Sequence, residues 1–168
     1  MGPRSSYVEG KRAAETLFNI FHKQHNVNTK IVRIFNTYGP RMNDNDGRVV
    51  SNFIKRAMQN EQIQIYGSGN QTRSFMYVSD LIKGLILTMK SEEFGPINLG
   101  NPQEIDILRL ADTIIFLCKS DSEIAYRPAL TEDPQRRCPD ISKARSKLNW
   151  QPEIDLHEGL IRTIKSKA

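Results

Sequence analysis

Apolar residues recur along this chain with two periods, and the switches between them mark out its elements. Over residues 7–24, Ala13, Ala14, Leu17, Phe18 and Phe21 fall at three- and four-residue steps, which predicts an amphipathic helix. The run Lys30-Ile31-Val32-Arg33-Ile34-Phe35 is short and β-branched and stops at Asn36, as a strand of the buried, parallel-sheet kind does. Tyr38-Gly39-Pro40 then predicts a loop rich in Asn, Asp and Gly that ends near Gly47. Helical spacing returns over 49–59, with Val50, Phe53, Ile54 and Ala57 on one face. Gln64-Ile65-Tyr66 predicts a strand closed by the turn Gly67-Ser68-Gly69-Asn70, and residues 74–78 predict one more strand. Ser79 or Asp80 is placed to cap a helix over 81–89. Residues 96–100 read as a strand, 107–117 as an apolar helix capped by Asp106, and 123–126 as a further strand. Two short helices, 142–148 and 156–165, finish the chain on either side of Asn149-Trp150-Gln151-Pro152.

Strands alternating with helices predict an α/β protein. At 168 residues the chain has the length of one ordinary domain, and 38% hydrophobic with 26% charged residues suits a soluble globular one. No apolar stretch approaches the roughly 20 residues needed to span a bilayer. Met1-Gly2-Pro3-Arg4-Ser5-Ser6 has no apolar core and so is not a signal peptide; it reads as a cut made inside a longer protein. Cys118 and Cys138, the only cysteines, form no CxxC-type pair, so neither a disulfide framework nor a zinc site is expected, and a reducing compartment is the simpler reading. Cys118 ends an apolar helical stretch as a small hydrophobe would. The net charge of +5 raises nucleic acid as a partner. The basic residues are spread along the chain, however, with Arg136-Arg137 as the longest cluster and no RNA-binding aromatic signature or finger spacing, so nucleic acid is not expected. The excess suits a small anionic ligand.

Tyr7 and Lys11 stand four residues apart, on one face of the first helix. A phenol is a weak base at neutral pH, with a free pKa of about 10. A neighbouring cation favours the phenolate and makes proton abstraction from an alcohol feasible. Hydride loss from the same carbon to a nicotinamide would complete an oxidation. The spacing alone is weak evidence, since many helices carry it by chance. His22, His25 and His157 lack metal-site spacing and read as surface residues. Gly67-Ser68-Gly69 lacks the Lys and helix of a phosphate loop, and Asp44, Asp46, Glu92 and Glu93 read as solvated loop charges.

The context of Tyr7 and Lys11 narrows the reading. The wording from Arg33-Ile34-Phe35-Asn36-Thr37-Tyr38-Gly39-Pro40-Arg41 through Asp46-Gly47-Arg48-Val49-Val50-Ser51-Asn52-Phe53-Ile54 and Tyr66-Gly67-Ser68-Gly69-Asn70-Gln71-Thr72-Arg73-Ser74-Phe75 resembles the extended short-chain dehydrogenase/reductases. The resemblance continues through Tyr77-Val78-Ser79-Asp80-Leu81, Asn98-Leu99-Gly100-Asn101-Pro102, Asp133-Pro134-Gln135-Arg136-Arg137-Cys138-Pro139-Asp140-Ile141 and Leu148-Asn149-Trp150-Gln151-Pro152, and so covers essentially the whole chain in order. Within that superfamily the wording is most similar to UDP-glucuronate decarboxylases. The related dTDP-glucose 4,6-dehydratases and epimerases share the layout and diverge in wording.

The resemblance implies the C-terminal part of a Rossmann-type fold with its small substrate-binding domain. Residues 1–40 would be a remnant of the NAD-binding domain, and 41–168 mainly the nucleotide-sugar domain. It implies NAD as cofactor and a UDP-sugar as substrate. Oxidation at C4 of the glucuronosyl ring would put a ketone β to the carboxylate; carbon dioxide leaves, and protonation with hydride return gives UDP-xylose. Tyr7 would be the base and Lys11 would hold the nicotinamide ribose. Thr37 and Arg48 match positions near the cofactor or the substrate diphosphate. Asn36 would contact a phosphate or hydroxyl oxygen, or else simply turn the chain. Val50, Ser51 and Asn52 open a helix whose free N–H groups suit an anion. Tyr66 would lie against uracil, or be a half-buried strand aromatic. Arg73 and Arg137 would take the pyrophosphate and sugar end with paired donors, Arg137 also in a catalytic role, whereas Arg136 fits less specifically.

A whole enzyme of this type carries a glycine-rich turn for the dinucleotide pyrophosphate, and no GxxGxxG or GxGxxG occurs in this sequence. The acidic residue for the adenosine ribose and the upstream Thr/Ser-and-acid pair are missing too. The chain alone is therefore expected to lack decarboxylase activity and to leave the edge of strand 30–35 open. A non-catalytic UDP-sugar-binding module is the competing expectation. The resemblance also implies a homodimer and a cytoplasmic location, or the Golgi lumen for an animal protein parted from its anchor.

Overall fold

The computed structural model describes residues 5–43, 46–130 and 133–167; Asp44, read above as a solvated charge, lies outside them. After helix α1 (Ser5–His25) come two short strands, β1 (Val32–Ile34) and β2 (Thr37–Tyr38), then α2 (Val49–Met58), β3 (Ile63–Tyr66), β4 (Thr72–Ser74) and β5 (Met76–Tyr77). Helix α3 (Val78–Lys90) leads to β6 (Ile97–Leu99) and β7 (Glu104–Asp106), and α4 (Ile107–Cys118) to β8 (Ile124–Arg127) and β9 (Arg136–Arg137). Helices α5 (Ser142–Leu148) and α6 (Leu156–Lys165) close the chain. Parallel pairing dominates: β1 with β6, β2 with β5, and β3 with β8. Strand β4 lies between β7, antiparallel, and β9, parallel. Parallel partners need long crossovers, which the helices supply. The α/β class and its parallel, Rossmann-type pairing are thus as the sequence predicts.

The apolar pattern builds two cores. In the larger, Val50, Phe53, Ile54 and Ala57 of α2 pack against Ile63 and Ile65 of β3 and against Leu110, Ala111 and Ile114 of α4. Along β3 the period of two is visible: Ile63 and Ile65 are buried, whereas Tyr66 is exposed. The smaller core joins Ile97 and Leu99 of β6 to Ala144 and Leu148 of α5 and to Trp150, whose indole N–H donates to the Asp80 carbonyl at 3.1 Å. Asp106 caps α4 as expected, accepting from the Arg109 N–H at 2.7 Å.

Four local expectations are corrected. Residues 74–78 are not one strand; β4 and β5 belong to different sheets and part at Phe75. Helix α3 begins at Val78, so neither Ser79 nor Asp80 caps it. Asp80 sits in its first turn, fully buried, and its Oδ2 accepts from the N–H groups of Glu153 and Ile154 at 3.1 and 3.0 Å. Strands β2, β7 and β9 run where loop was expected, each too short to leave a pattern. Glu93 is no solvated charge, since Lys143 and Lys147 pair with it at 3.3 and 3.5 Å. Both cysteines are free thiols.

The apolar side of α1 stands open, with Leu17, Phe18 and Phe21 all about half exposed or more. Ile34 of β1 is 53% exposed, and β1 pairs on one side only among the described residues. No helix among them is long and apolar enough to cross a membrane.

Candidate functional site

An open cleft of about 1440 Å³ runs from α1 across the β1–β2 junction to the start of α2, the end of β3, and β4 with β9. Tyr7, Asn36, Thr37, Arg48, Val50, Asn52, Tyr66, Arg73 and Arg137 all line it, so residues spread over 130 positions of sequence converge on one space. The pairing of β4 with β9 sets Arg73 and Arg137 side by side as register partners. Two guanidinium groups on adjacent strands suit a doubly anionic ligand.

The two arginines differ. Arg73 is only 9% exposed; it donates to Asp133 Oδ1 at 2.7 Å and to the Thr72 carbonyl at 2.7 Å. A buried guanidinium needs such partners, and Asp133 supplies them from 60 residues away. Arg137 is exposed, and its side chain makes no hydrogen bond or ion pair among the described residues. Arg136 points to other business: it holds Glu104 bidentately, Nη2 to Oε2 at 2.6 Å and Nε to Oε1 at 3.0 Å. That grip, with a hydrogen bond from the Thr72 hydroxyl at 2.7 Å, depresses the Glu104 carboxyl to about 2.

At the other end, Tyr7 is 69% exposed at the start of α1. The Lys11 Nζ stands 5.6 Å from the centroid of its ring, as four-residue spacing on a helix requires. Lys11 itself does not line the cleft. Asn36 sits one residue past Phe35, beyond the end of β1. Its carbonyl accepts from the Met76 N–H at 2.9 Å and its amide donates to the Ser74 carbonyl at 3.4 Å. It thus clamps the β1–β2 junction onto β4 and β5 while facing the cleft. The Thr37 hydroxyl is turned to the Phe35 carbonyl at 2.9 Å.

The start of α2 corrects another expectation. Ser51 is buried outside the cleft, and its hydroxyl donates to Asp46 Oδ1 at 2.6 Å and to the Arg48 carbonyl at 3.0 Å. Asp46 also accepts from the Arg48 N–H at 2.9 Å. Asp46 is an exposed loop charge, as expected, and it also ties the loop to the start of α2. Burial pushes its carboxyl up, but the Ser51 hydroxyl, the Arg48 N–H and the Arg48 charge together hold it below its ordinary value. The backbone N–H of Asn52 is taken by the Arg48 carbonyl at 3.0 Å, so the anion-binding reading of this helix end, which rested on the N–H groups of Val50, Ser51 and Asn52, does not extend to Asn52.

Asp133, Gln64, Arg56 and Tyr38 line the cleft without having stood out in the sequence. Tyr38 is a core residue as much as a lining one. Its hydroxyl donates to the Leu156 carbonyl at 3.1 Å, and its ring meets Tyr77 edge-on at 5.7 Å. Burial, followed by the negative charge of Asp155, raises its phenol well above the ordinary range. The histidines stay out of the cleft: His22 is turned to the Val27 carbonyl at 2.9 Å and stacks on Phe94. The described residues contain no group of His, Cys, Asp and Glu able to hold a metal.

Comparison with known proteins fixes the family. The sequence profile described as "NAD dependent epimerase/dehydratase family" matches residues 1–100. The UDP-glucuronic acid decarboxylase 1 of Xenopus tropicalis is 54% identical over 164 residues, which is 98% of this chain and 39% of the relative. The UDP-glucuronic acid decarboxylase 6 of Arabidopsis thaliana is 52% identical over 160 residues, 95% of this chain and 47% of the relative. The chain thus spans less than half the length of these curated relatives. Among solved structures, a UDP-N-acetylglucosamine 4-epimerase from Methanobrevibacter ruminantium superposes with a TM-score of 0.92 at 30% identity, covering 99% of this chain and 55% of that one. A UDP-glucuronic acid 4-epimerase from Bacillus cereus, solved with UDP-glucuronic acid and NAD, gives 0.88 at 26% identity over 98% of this chain and 53% of that one.

Proposed function

The chain belongs to the NAD dependent epimerase/dehydratase family, and from that premise we propose that it is the nucleotide-sugar-binding part of a UDP-glucuronate decarboxylase. The observation that carries the proposal is the convergence of Tyr7, Asn36, Tyr66, Arg73 and Arg137 on one cleft. Relatives named as UDP-glucuronic acid decarboxylases, 54% and 52% identical, support the choice of substrate.

In this reading Arg73 and Arg137 neutralise the diphosphate, and Tyr66 lies along the base. Asn36 donates its amide to a sugar or phosphate oxygen. Tyr7 takes the proton of the sugar 4-hydroxyl, and Lys11 keeps a positive charge beside that phenol. The residues present fit the nicotinamide end of NAD, which Tyr7 and Lys11 would hold. No glycine-rich turn in this sequence fits its pyrophosphate. When bound, the dinucleotide supplies removal and return of hydride at C4. With a ketone formed there, loss of the carboxylate as carbon dioxide becomes feasible, and the product is a UDP-pentose. The open apolar side of α1 supports a second copy of the protein as partner.

Calorimetric titration of the chain with UDP, UDP-glucuronate and NAD tests this. Binding of UDP and UDP-glucuronate without NAD is the expected result, and absence of both UDP ligands refutes it. Supplying the N-terminal half of a relative should restore carbon dioxide release. If it never does while UDP still binds, a non-catalytic UDP-sugar-binding module is the better description.

A further inference from the structure

Six arginines, Arg33, Arg41, Arg48, Arg56, Arg73 and Arg137, line the cleft, and Asp133 is the one carboxylate among the described residues that lines it with them. Arg33, Arg48 and Arg56 pair with Glu15, Asp46 and Glu61, which stay outside the lining. Asp133 pairs from within the cleft, and its partner Arg73 is the only buried arginine of the six. Their side chains are 27% and 11% exposed, with Arg73 Nη2 and Asp133 Oδ1 at 2.7 Å. The strand pairing brings the acid there. The Thr72 N–H donates to the Gln135 carbonyl at 2.9 Å, which anchors the chain two residues beyond Asp133.

A cleft lined with arginines suits an anion, and a carboxylate on its most buried arginine works against one. Toward a ligand, the Asp133 charge cancels that of Arg73. A phosphate arriving at Arg73 must draw the guanidinium away from the acid or lie close to a like charge, and either costs free energy. In the empty cleft the balance is reversed. Without Asp133 a nearly buried guanidinium would lack a counter-charge, which is itself costly. The same carboxylate therefore stabilises the empty cleft and penalises the filled one.

We propose that Asp133 is an internal competitor for the diphosphate, holding Arg73 until a phosphate takes its place and so setting how tightly a nucleotide binds. This rests on the nucleotide-sugar reading above and goes beyond it, because it makes the weakness of the nucleotide hold a property of one residue. In that reading the diphosphate is carried unchanged from substrate to product and lies away from the reacting carbon. A tighter grip on it would be gained equally in ground and transition states and would slow release of the product.

The test is calorimetry with UDP on the native chain and four variants, each checked for an unchanged circular dichroism spectrum. Asp133→Asn and Asp133→Ser, which can still accept a hydrogen bond from Arg73 but carry no charge, should bind UDP about three- to tenfold more tightly than the native chain, the weight of one partly exposed ion pair. Asp133→Glu, which keeps the charge, should show no gain. Glu93→Gln removes a negative charge outside the cleft and should stay within about twofold of the native affinity. Urea midpoints without ligand should be lower for Asp133→Asn than for the native chain, and saturating UDP should narrow the gap. A simple brace for Arg73 predicts the opposite sign, so UDP affinity that is unchanged or weaker in both neutral variants overturns the proposal and leaves the nucleotide site standing. An equal gain in Glu93→Gln overturns it too, since the effect would then belong to net charge. Absence of UDP binding by the native chain overturns both the proposal and the reading beneath it.

Discussion

Gly159 offers the sharpest structural test, because a single methyl group there would collide with the floor of the cleft. A Cβ at this position of α6 would lie 2.0 Å from the Tyr38 hydroxyl oxygen and 2.8 Å from its Cζ. Contacts under 3.0 Å require something to shift. Tyr38 is 2% exposed, bonded to the Leu156 carbonyl and wedged edge-on against Tyr77, so it has no free direction to take. Gly159→Ala should gain about 1 kcal/mol of helix propensity. Against that stand about 1–3 kcal/mol for overpacking and about 1 kcal/mol for the Tyr38 hydrogen bond forced open. The net should be a loss of about 1–3 kcal/mol. Urea denaturation followed by circular dichroism measures it. The decisive arm is Tyr38→Phe, which alone should cost about 1 kcal/mol. In the Gly159→Ala background the same change removes the 2.0 Å contact and should be neutral or stabilising. A Gly159→Ala chain within about 0.5 kcal/mol of the native one, or a Tyr38→Phe effect equal in both backgrounds, would refute this account of the packing.

Three further expectations follow from the same geometry. Arg73→Ala should weaken UDP binding about 10- to 100-fold, the value of one or two charge-assisted hydrogen bonds, whereas Arg136→Ala, whose guanidinium is spent on Glu104, should change it less than about threefold; calorimetry reading equal losses for the two would contradict the assignment. Glu104 is depressed from 4.5 to about 2 by Arg136 and the Thr72 hydroxyl, so its contribution to stability is complete above pH 4.5 and is lost as pH falls from there through about 2. Urea midpoints between pH 5 and pH 2 should therefore fall less steeply in Glu104→Gln than in the native chain, and parallel curves would count against it. Asp80→Ala removes the side-chain acceptor for the part-buried N–H groups of Glu153 and Ile154 and should cost about 2–4 kcal/mol by urea denaturation; a cost under about 1 kcal/mol would mean that water replaces the carboxylate.

The elements that could be read from sequence are those whose own residues carry the signal. Helices α5 and α6 begin and end where their apolar steps do, and α2 stops within a residue of its expected end, because side chains three and four apart face one core. Periodicity fails over 73–77, where five consecutive residues are buried. A strand buried on both faces loses its alternation, so the break at Phe75 left no mark. Asp80 misled for a different reason. Next to Ser79 and ahead of an apolar run it has every local feature of a helix cap, yet its partners are the amides of Glu153 and Ile154, more than 70 residues on. A cap written locally and a clamp formed by tertiary folding use the same side chain.

The site divides along the same line. Tyr7 and Lys11 could be found together because helical geometry brings residues four apart onto one face wherever the helix lies. Arg73 and Arg137 could be singled out, but their pairing depends on β4 and β9 lying in register, and a two-residue strand such as β9 announces nothing in sequence. Arg136 and Arg137 make the point within one dipeptide. They are chemically identical, and on a strand they must point to opposite faces. One face presents Glu104, which fixes Arg136 in the sheet and sets its role as structural. The other faces the cleft beside Arg73, where no carboxylate among the described residues pairs with Arg137. Which arginine faces the cleft and which one braces the sheet is thus decided by the strand pairing.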